Sequence, residues 1–584
     1  MFRRSKWLTV VLAVIFLISM SACSGKTTDN DDASSAAASA SPSAAPATTQ
    51  SASPEVTAKK PVTITWFGGV PQASFLTTGI QDDVIMNTIK EKTGVTIDHT
   101  PSIGISDQDE KAAVLIAGGD SPDVMYASVK LVQTVLKGKG ALALDDLLKT
   151  NGQELAKNCA KAIAASKLLK SDDTHAFYFI PHRIDMSDFS GTTVENGYNI
   201  RWDLYAKLGY PTVNNDDDFL KLLQDMVKLE PKNKEGKPNY GLGMFLGEGW
   251  SNHMIDKAHG AYQGIVQMTT NVSIDVANDK VVARVTDPES AYWDSLAFYN
   301  KAYRMGLFDP ESITLKFDAY CNKAKVGRYM AGECNWCLGG VNDQFVSDGT
   351  PEKGFAPFTY GLSESCSFGT TAGIGDQNVI WISSNCKNPD RVMDVFNYLA
   401  SDEGAMVLQN GPDGTYWEMK DGKAVVKAET ITMRNTDTDF IKKTGISKYS
   451  TMILRDGMDS NGNNFDLFKN PEVLQERMTQ VQKEYCAYTK QSTPIENLQK
   501  YKYASYDMGL LASISIPDGT EARTAQVKGE EYIYNGFAKA IVAKTEAEYN
   551  TIKDKIIADA KALGYEKEVE YYTQMYEKYK GEIK

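Results

Sequence analysis

Val62-Thr63-Ile64-Thr65-Trp66-Phe67 is β-branched and aromatic and reads as a strand. Asp82 to Thr93 follows as a helix, with Val84, Ile85 and Ile89 on one side and Gly94 as its stop. Val95-Thr96-Ile97 returns as a strand. Ser106-Asp107-Gln108-Asp109 reads as a capping box, which opens a helix through Ala112, Leu115 and Ile116 that stops at Gly118-Gly119. Pro122-Asp123-Val124-Met125-Tyr126 is a further short strand. Strand, helix, strand, helix, strand at this spacing predicts an α/β lobe with a mainly parallel sheet.

The alternation recurs late in the chain. Val379-Ile380-Trp381-Ile382 is strand-like, and Asn388-Pro389 sets an N-cap and a first-turn proline before a helix. Val392, Val395, Phe396 and Leu399 then fall on one face. Phe219, Leu222, Leu223 and Met226 mark another amphipathic helix. In the tail, Thr545 and Glu548 form a capping box ahead of Tyr549, Ile552, Ile556 and Leu563. Gly564 breaks that helix, and Val569, Tyr572, Tyr576 and Tyr579 form a second apolar stripe. These stripes read as core.

Ahead of the folded body, Phe2-Arg3-Arg4-Ser5-Lys6 is basic and Leu8 to Met20 is apolar. That run is short of the about 20 residues that span a bilayer. It ends in Met20-Ser21-Ala22-Cys23, so residues 1–22 read as an export signal. Cys23 at the cleavage point resembles a bacterial lipobox, whose cysteine takes a diacylglycerol. Between Ser24 and Lys60 there is no Leu, Ile, Met, Phe, Tyr or Trp. Such a segment cannot bury enough apolar surface to offset its entropy, so residues 23–60 are expected to be a lipid anchor and disordered tether. As a flexible coil it spans about 30–37 Å.

The body from Pro61 to Lys584 is long enough for two or more core-forming units. A net charge of −13 argues against nucleic acid or an anionic lipid surface as partner, and leaves uncharged or cationic ligands open. Beyond Cys23 the cysteines are Cys159, Cys321, Cys334, Cys337, Cys366, Cys386 and Cys486, an odd set. Cys334-Asn335-Trp336-Cys337 is a CxxC, but its glycine-rich flanks lack the strand-to-helix setting of a redox pair. No second close pair completes a zinc site. Buried thiols or a disulfide are expected instead.

Several segments, in order, resemble the extracellular solute-binding proteins (family 1) of carbohydrate ABC transporters, in particular the large oligosaccharide-type lipoproteins of Gram-positive bacteria. Ile116-Ala117-Gly118-Gly119-Asp120-Ser121-Pro122-Asp123-Val124 is similar to the family's small-Gly-Asp-x-Pro-Asp-hydrophobic motif. Tyr198-Asn199-Ile200-Arg201-Trp202-Asp203-Leu204 with Leu208-Gly209 resembles its hydrophobic-Arg-x-Asp-x-Leu segment. Lys323 to Gly332 with Trp336 resembles the Gly-Met-Gly-Trp block, Asn388 to Gly404 the Pro-Glu-x-Ala to Glu-Gly block, and Gly411 to Trp417 the Gly-x-x-Gly-x-x-Tyr turn. The chain departs from the pattern at Val213-Asn214, where many members carry Thr-Trp. Some relatives also carry an acidic calcium-like loop near residues 230–237, where this chain has three lysines. Asp456-x-x-Asp459-x-Asn461-Gly462 lacks a Glu at the twelfth loop position, which is Leu467. No metal and no cofactor are assigned.

The resemblance implies a two-lobe, periplasmic-binding-protein-like α/β fold of class II type. Each lobe would be a mainly parallel sheet flanked by helices and discontinuous in sequence, with the ligand in the cleft between them. By analogy lobe one takes 61–180 plus 366–442, and lobe two 181–365 plus 443–584. It also implies a carbohydrate ligand, ABC permease subunits as partners, a membrane reached through the N-terminal lipid, and a monomer on the extracellular face.

A sugar site needs aromatic platforms for C–H faces and planar polar groups for hydroxyl edges. Trp336 aligns with the aromatic that closes the family's block. Trp66 and Phe67 leave the first strand at its carboxyl end, where ligands collect in open α/β sheets, and Tyr126 and Ser128 leave the Pro-Asp strand likewise. Trp250 sits in a glycine-flanked loop suited to a cleft rim. Arg201 and Asp203 are set to bind hydroxyls or to pair with each other as a surface ion pair. For every tryptophan the alternative is a core position, and Trp293 and Trp381 read as core. The five histidines form no metal spacing, and no Gly-x-Ser-x-Gly elbow or Walker loop is present. The reading is a non-enzymatic binding protein; a sugar-sensing component and a secreted glycoside hydrolase are the alternatives.

Overall fold

The expected first strand forms as Val62–Thr65 and runs parallel to Val95–Asp98, with Ile64 opposite Ile97. A parallel bridge from Trp66 to Val124 brings in the strand Val124–Ser128. Asn378–Ile382 then lies antiparallel to that strand, with Ile380 opposite Tyr126. Asp123 pins the layer from the side: its Oδ2 accepts the N–H and hydroxyl of Thr65 at 2.8 and 2.9 Å. The helix Val84–Thr93 starts where the Asp83 side chain accepts the Met86 N–H, and stops at Gly94 with φ 69°. The helix Gln108–Gly118 is capped by Asp107, one residue after the expected Ser106, which is outside the described residues.

This computed structural model describes residues 59–70, 75–76, 78–104, 107–184, 196–333, 335–368, 373–437, 439–498 and 508–582, with the backbone alone at 335–337, 339, 508 and 509. The signal segment, Cys23 and the tether as far as Ala58 lie outside them. Residues Ala58–Lys584 form one compact unit.

Within this unit the apolar side chains collect in two large cores. One unites Ile64, Ile85, Ile89 and Ile97 with Val392, Val395, Phe396 and Leu399 of the helix Pro389–Ala400. Tyr449, Met452, Leu454, Phe465 and Phe468 belong to it too, beyond the expected boundary at 442. The other core holds Phe219, Leu222, Leu223 and Met226 of the helix Asp216–Leu229, together with Trp293, Tyr299, Phe355, Cys366 and Phe368. The cores therefore divide the chain later than the expected 366 and 442.

The mainly parallel sheet expected of each lobe is met only in part in the first, where Val62–Thr65 and Val95–Asp98 are parallel but Asn378–Ile382 and the pair Trp417–Lys420 with Lys423–Val426 are antiparallel. In the second, Tyr198–Arg201 pairs antiparallel with Ala331–Gly332 and Phe355–Phe358, and Ile265–Gln267, Val272–Asp275 and Lys280–Ala283 form an antiparallel meander. Parallel contact there is limited, among the described residues, to the bridges Tyr240–Tyr329 and Leu242–Phe308. The physical reason lies in the connections: hairpin turns join the meander strands, whereas parallel neighbours need a crossover of a dozen residues or more.

A smaller apolar cluster joins the two bodies. The helix Ala160–Leu169 gives Ala162 and Ile163 to the first core, and turns Ala165 and Leu169 toward Val266, Ile274, Ile514 and Tyr572. The chain ends in three helices, Glu521–Ile541, Glu546–Ala562 and Tyr565–Tyr579. The first buries Ile533, Phe537 and Ile541 in the second core.

Candidate functional site

Between the bodies lies a cavity of about 990 Å³ lined from both sides. On the first side, Val124–Ser128 carries Tyr126 and Ser128 to its wall. Asp109, in the first turn of Gln108–Gly118, accepts the N–H and hydroxyl of Ser128 at 2.8 and 2.6 Å. Tyr126 meets His182 edge-on at 5.5 Å between ring centroids, and His182 Nδ1 lies 2.9 Å from Asp376 Oδ2. Burial works against the charged form of Asp376, but the charge and hydrogen bond of His182 outweigh it, so the carboxyl is held below its ordinary range. Burial raises the Tyr126 phenol well above its usual value, so this hydroxyl stays protonated.

On the opposite side, the turn Gly249–Met254 presents Trp250, which is 38% exposed. Its indole N–H donates to Glu248 Oε2 at 2.7 Å, and its ring packs on Phe245 and Phe317 at 4.5 and 5.4 Å between centroids. The helix Glu521–Ile541 brings Gln526, Glu530 and Tyr534 to the same wall; at four-residue spacing they share one face. The Tyr534 hydroxyl lies 2.9 Å from His253 Nε2. Burial, with the Arg284 and Lys130 charges added, drives His253 down to about 3, so that ring is neutral. Behind this wall Arg284 donates to both Asp256 oxygens at 2.9 and 2.7 Å and to Asn252 Oδ1 and the Thr270 carbonyl at 2.8 Å. Ion pairs cross from body to body: Lys130 Nζ sits 2.9 Å from each oxygen of Glu530, and Lys137 Nζ lies 3.5 Å from Asp518 Oδ2.

Of the expected site residues, Tyr126, Ser128 and Trp250 line this cavity. Trp66 and Phe67 do not, and both are at 0% exposure. Trp66 packs on Phe396 at 5.2 Å, and Phe67 joins Met125, Val132 and Trp381 in an apolar cluster. The glycine turn after them serves Tyr126 instead: a Cβ on Gly68, at φ +88°, would stand 2.6 Å from the Tyr126 Cβ. Arg201 and Asp203 are buried in the second body and bonded to each other, Nε to Oδ1 and Nη2 to Oδ2, both at 2.8 Å. They pair with each other, but in the interior and not at the surface as expected, and so are not placed to bind hydroxyls. Trp336 lies in the helix Asn335–Ser347, and its side chain is outside the described residues, as are Cys334 and the Cys337 thiol. Cys321 is disulfide-bonded.

Sequence reasoning missed Asp109, Lys130, His182, Asp376, Gln526, Glu530 and Tyr534. Only Gln526, Glu530 and Tyr534 carried a signal, their common spacing.

The carboxylates of the two calcium-like stretches are already held by the protein's own donors. Glu230 receives Arg201 at 3.1 and 3.2 Å and Lys353 at 3.0 Å. Asp456 receives Arg183 at 2.8 Å and Lys469 at 2.6 Å, and Asp459 takes the backbone N–H groups of Asn461 and Asn463. Treatment with EDTA or added calcium is therefore expected to leave the melting temperature unchanged. A rise of several degrees with calcium in differential scanning fluorimetry would contradict this.

No protein-family model and no curated protein matches the chain by sequence. Among solved structures, the alginate-binding protein AlgQ2, determined without calcium ion, superposes with a TM-score of 0.62 at 17% identity, over 89% of this chain and 98% of that one. An ABC-transporter-associated solute-binding protein for HMO from Bifidobacterium longum infantis gives 0.60 at 14% identity, over 89% and 99%. The S. pneumoniae ABC-transporter substrate-binding protein FusA, in complex with kestose, gives 0.58 at 17%, over 89% and 100%. The fold is therefore the two-lobe α/β fold of solute-binding proteins, over nearly the full length of each. Among the described residues no helix is long and apolar enough to cross a membrane.

Proposed function

We propose that this chain is the extracellular solute-binding protein of a carbohydrate ABC transporter, which captures an oligosaccharide between its lobes and hands it to the permease. The observation that carries the reading is the pairing of Trp250 with the wall of Asp109, Ser128 and Asp376 across one cavity. An aromatic ring backed by two phenylalanines offers a rigid platform for a sugar face, while carboxylates accept hydroxyl protons. The volume of about 990 Å³ sits at the top of the range of roughly 300–1,000 Å³ usual for small-molecule sites, which favours several sugar units over one. The likeness to transport proteins of the same fold supports the reading. Cys23 would carry the lipid that anchors the protein outside the membrane, with the tether giving the body reach.

Trp250→Ala is expected to weaken oligosaccharide binding about tenfold, which corresponds to about 1.4 kcal/mol, with a smaller loss of stability than a fully buried tryptophan would cause, because the residue is 38% exposed. Calorimetric titration of wild type and variant with the same oligosaccharide checks this; equal affinities would remove Trp250 from the site. Cys23→Ala is expected to release the protein from membranes into the medium. Retention of that variant in the membrane fraction would contradict the anchor. Deletion of the gene should abolish uptake of the bound sugar, and unimpaired uptake would contradict the transport role.

A further inference from the structure

We infer that the cavity selects uncharged glycans and rejects uronate-bearing ones, an inference that rests on the carbohydrate reading above. A uronate-binding site needs cations free to meet a carboxylate. Among the described residues, the cations lining this cavity are Lys130, Arg183, Lys257, Lys316 and Arg523. Lys130 is bound through both oxygens of Glu530 at 2.9 Å. Arg183 donates to Asp456 at 2.8 Å. Arg523 donates to Gln526 and, at 3.2 Å, to the Lys130 carbonyl. Lys257 has an interaction within the chain, and Lys316, exposed at the rim, is among the described residues the lining cation that no carboxylate meets.

Acceptors are in the opposite condition. Among the described residues, Asp109 accepts the N–H and hydroxyl of Ser128 and Glu248 accepts the Trp250 indole N–H, and neither carboxylate forms an ion pair. Such oxygens suit the hydroxyl donors of a neutral sugar and repel a second carboxylate at close range. Beyond the exposed Lys316, an anionic ligand gains a cation here only by breaking an existing contact, as at Lys130, which would leave the Glu530 charge without its partner. The net charge of −13 acts in the same direction at long range. The alginate-binding relative shows that this fold does not itself set the charge of the ligand; here the wall does.

The test is a glycan array that carries neutral, uronate-bearing and sialylated oligosaccharides, probed with the wild-type protein at low salt. Neutral glycans are expected to give the bound set, with oligogalacturonates of equal length at least tenfold weaker. A uronate as the best ligand would overturn the inference and leave the carbohydrate reading standing, whereas no binding to any glycan would overturn both. Glu530→Gln gives an independent arm, because it frees Lys130 while keeping the side-chain shape. Its affinity for an oligogalacturonate should rise about tenfold, the factor expected of one charge-assisted hydrogen bond. A folded Glu530→Gln protein with no such gain would overturn the charge-pairing basis.

Discussion

Arg284→Met is expected to lower the unfolding free energy by about 3–5 kcal/mol, the range for removing one member of a buried ion pair. Arg284 is 1% exposed and lies over the Tyr292 ring at 4.2 Å. Its guanidinium ties together three parts of the wall beside Trp250: Asn252, Asp256 and the Thr270 carbonyl. Without it the Asp256 charge stays buried and unpaired, and the turn Gly249–Met254 loses the clamp that aims Trp250 into the cavity. Sugar affinity should therefore fall together with stability. The double variant Arg284→Met with Asp256→Leu should regain most of the stability, because no lone charge remains. Urea unfolding measures both; a loss under about 1 kcal/mol in the single variant would show that water reaches and solvates Asp256.

The second large effect is on pH dependence, through Glu568. This carboxyl is wholly buried, accepts from Thr269 Oγ1 at 3.0 Å and Gln526 Nε2 at 3.1 Å, and leaves Oε2 without a partner. Burial, reinforced by the Glu530 charge, raises it from its ordinary 4.5 to about 7. In that window the folded chain holds a proton that the unfolded chain has released, so stability is full below about 4.5 and declines as pH rises toward 7. A shift of this size corresponds to about 3 kcal/mol at most, at 1.36 kcal/mol per pH unit. Glu333, raised to about 7 by burial, acts in the same sense and remains in a Glu568 variant. Glu568→Gln should thus lose stability relative to wild type near pH 5 and gain on it above pH 7 (a change of about 3 kcal/mol in their difference at most). Parallel stability–pH curves for the two proteins would contradict a protonated Glu568. Because Thr269 and Gln526 both line the cavity, the same substitution probes how far the wall depends on that proton.

Much of the first lobe was legible because its signals are local. Gly94 at φ 69° ends a helix and Asp83 caps it within one turn of sequence, and the alternation of strand and helix predicts the parallel pairing. The second lobe was harder to read. Its strands are two to four residues long, too short for a period to declare their pairing. At the site, the carboxyl-end rule located the right edge of the sheet but not which side chains point into the cavity. It holds for Tyr126 and Ser128 in their placement, and fails for Trp66 and Phe67, which the close approach of Tyr126 to Gly68 turns into the core. Arg201 and Asp203 were legible as a pair because they stand two positions apart. Lys130 and Glu530 are 400 residues apart, and no local pattern joins them.

Capture by lobe closure makes one demand on the whole molecule: a ligand that touches both walls must favour the arrangement in which they are close. Small-angle X-ray scattering of the protein, before and after saturation with an oligosaccharide that it binds on the array, measures this directly. The radius of gyration is expected to fall at constant molecular mass, in step with occupancy, and the sugar should be recovered intact. An unchanged radius at full occupancy, or a sugar returned as cleaved products, would contradict a binding protein that closes on its ligand.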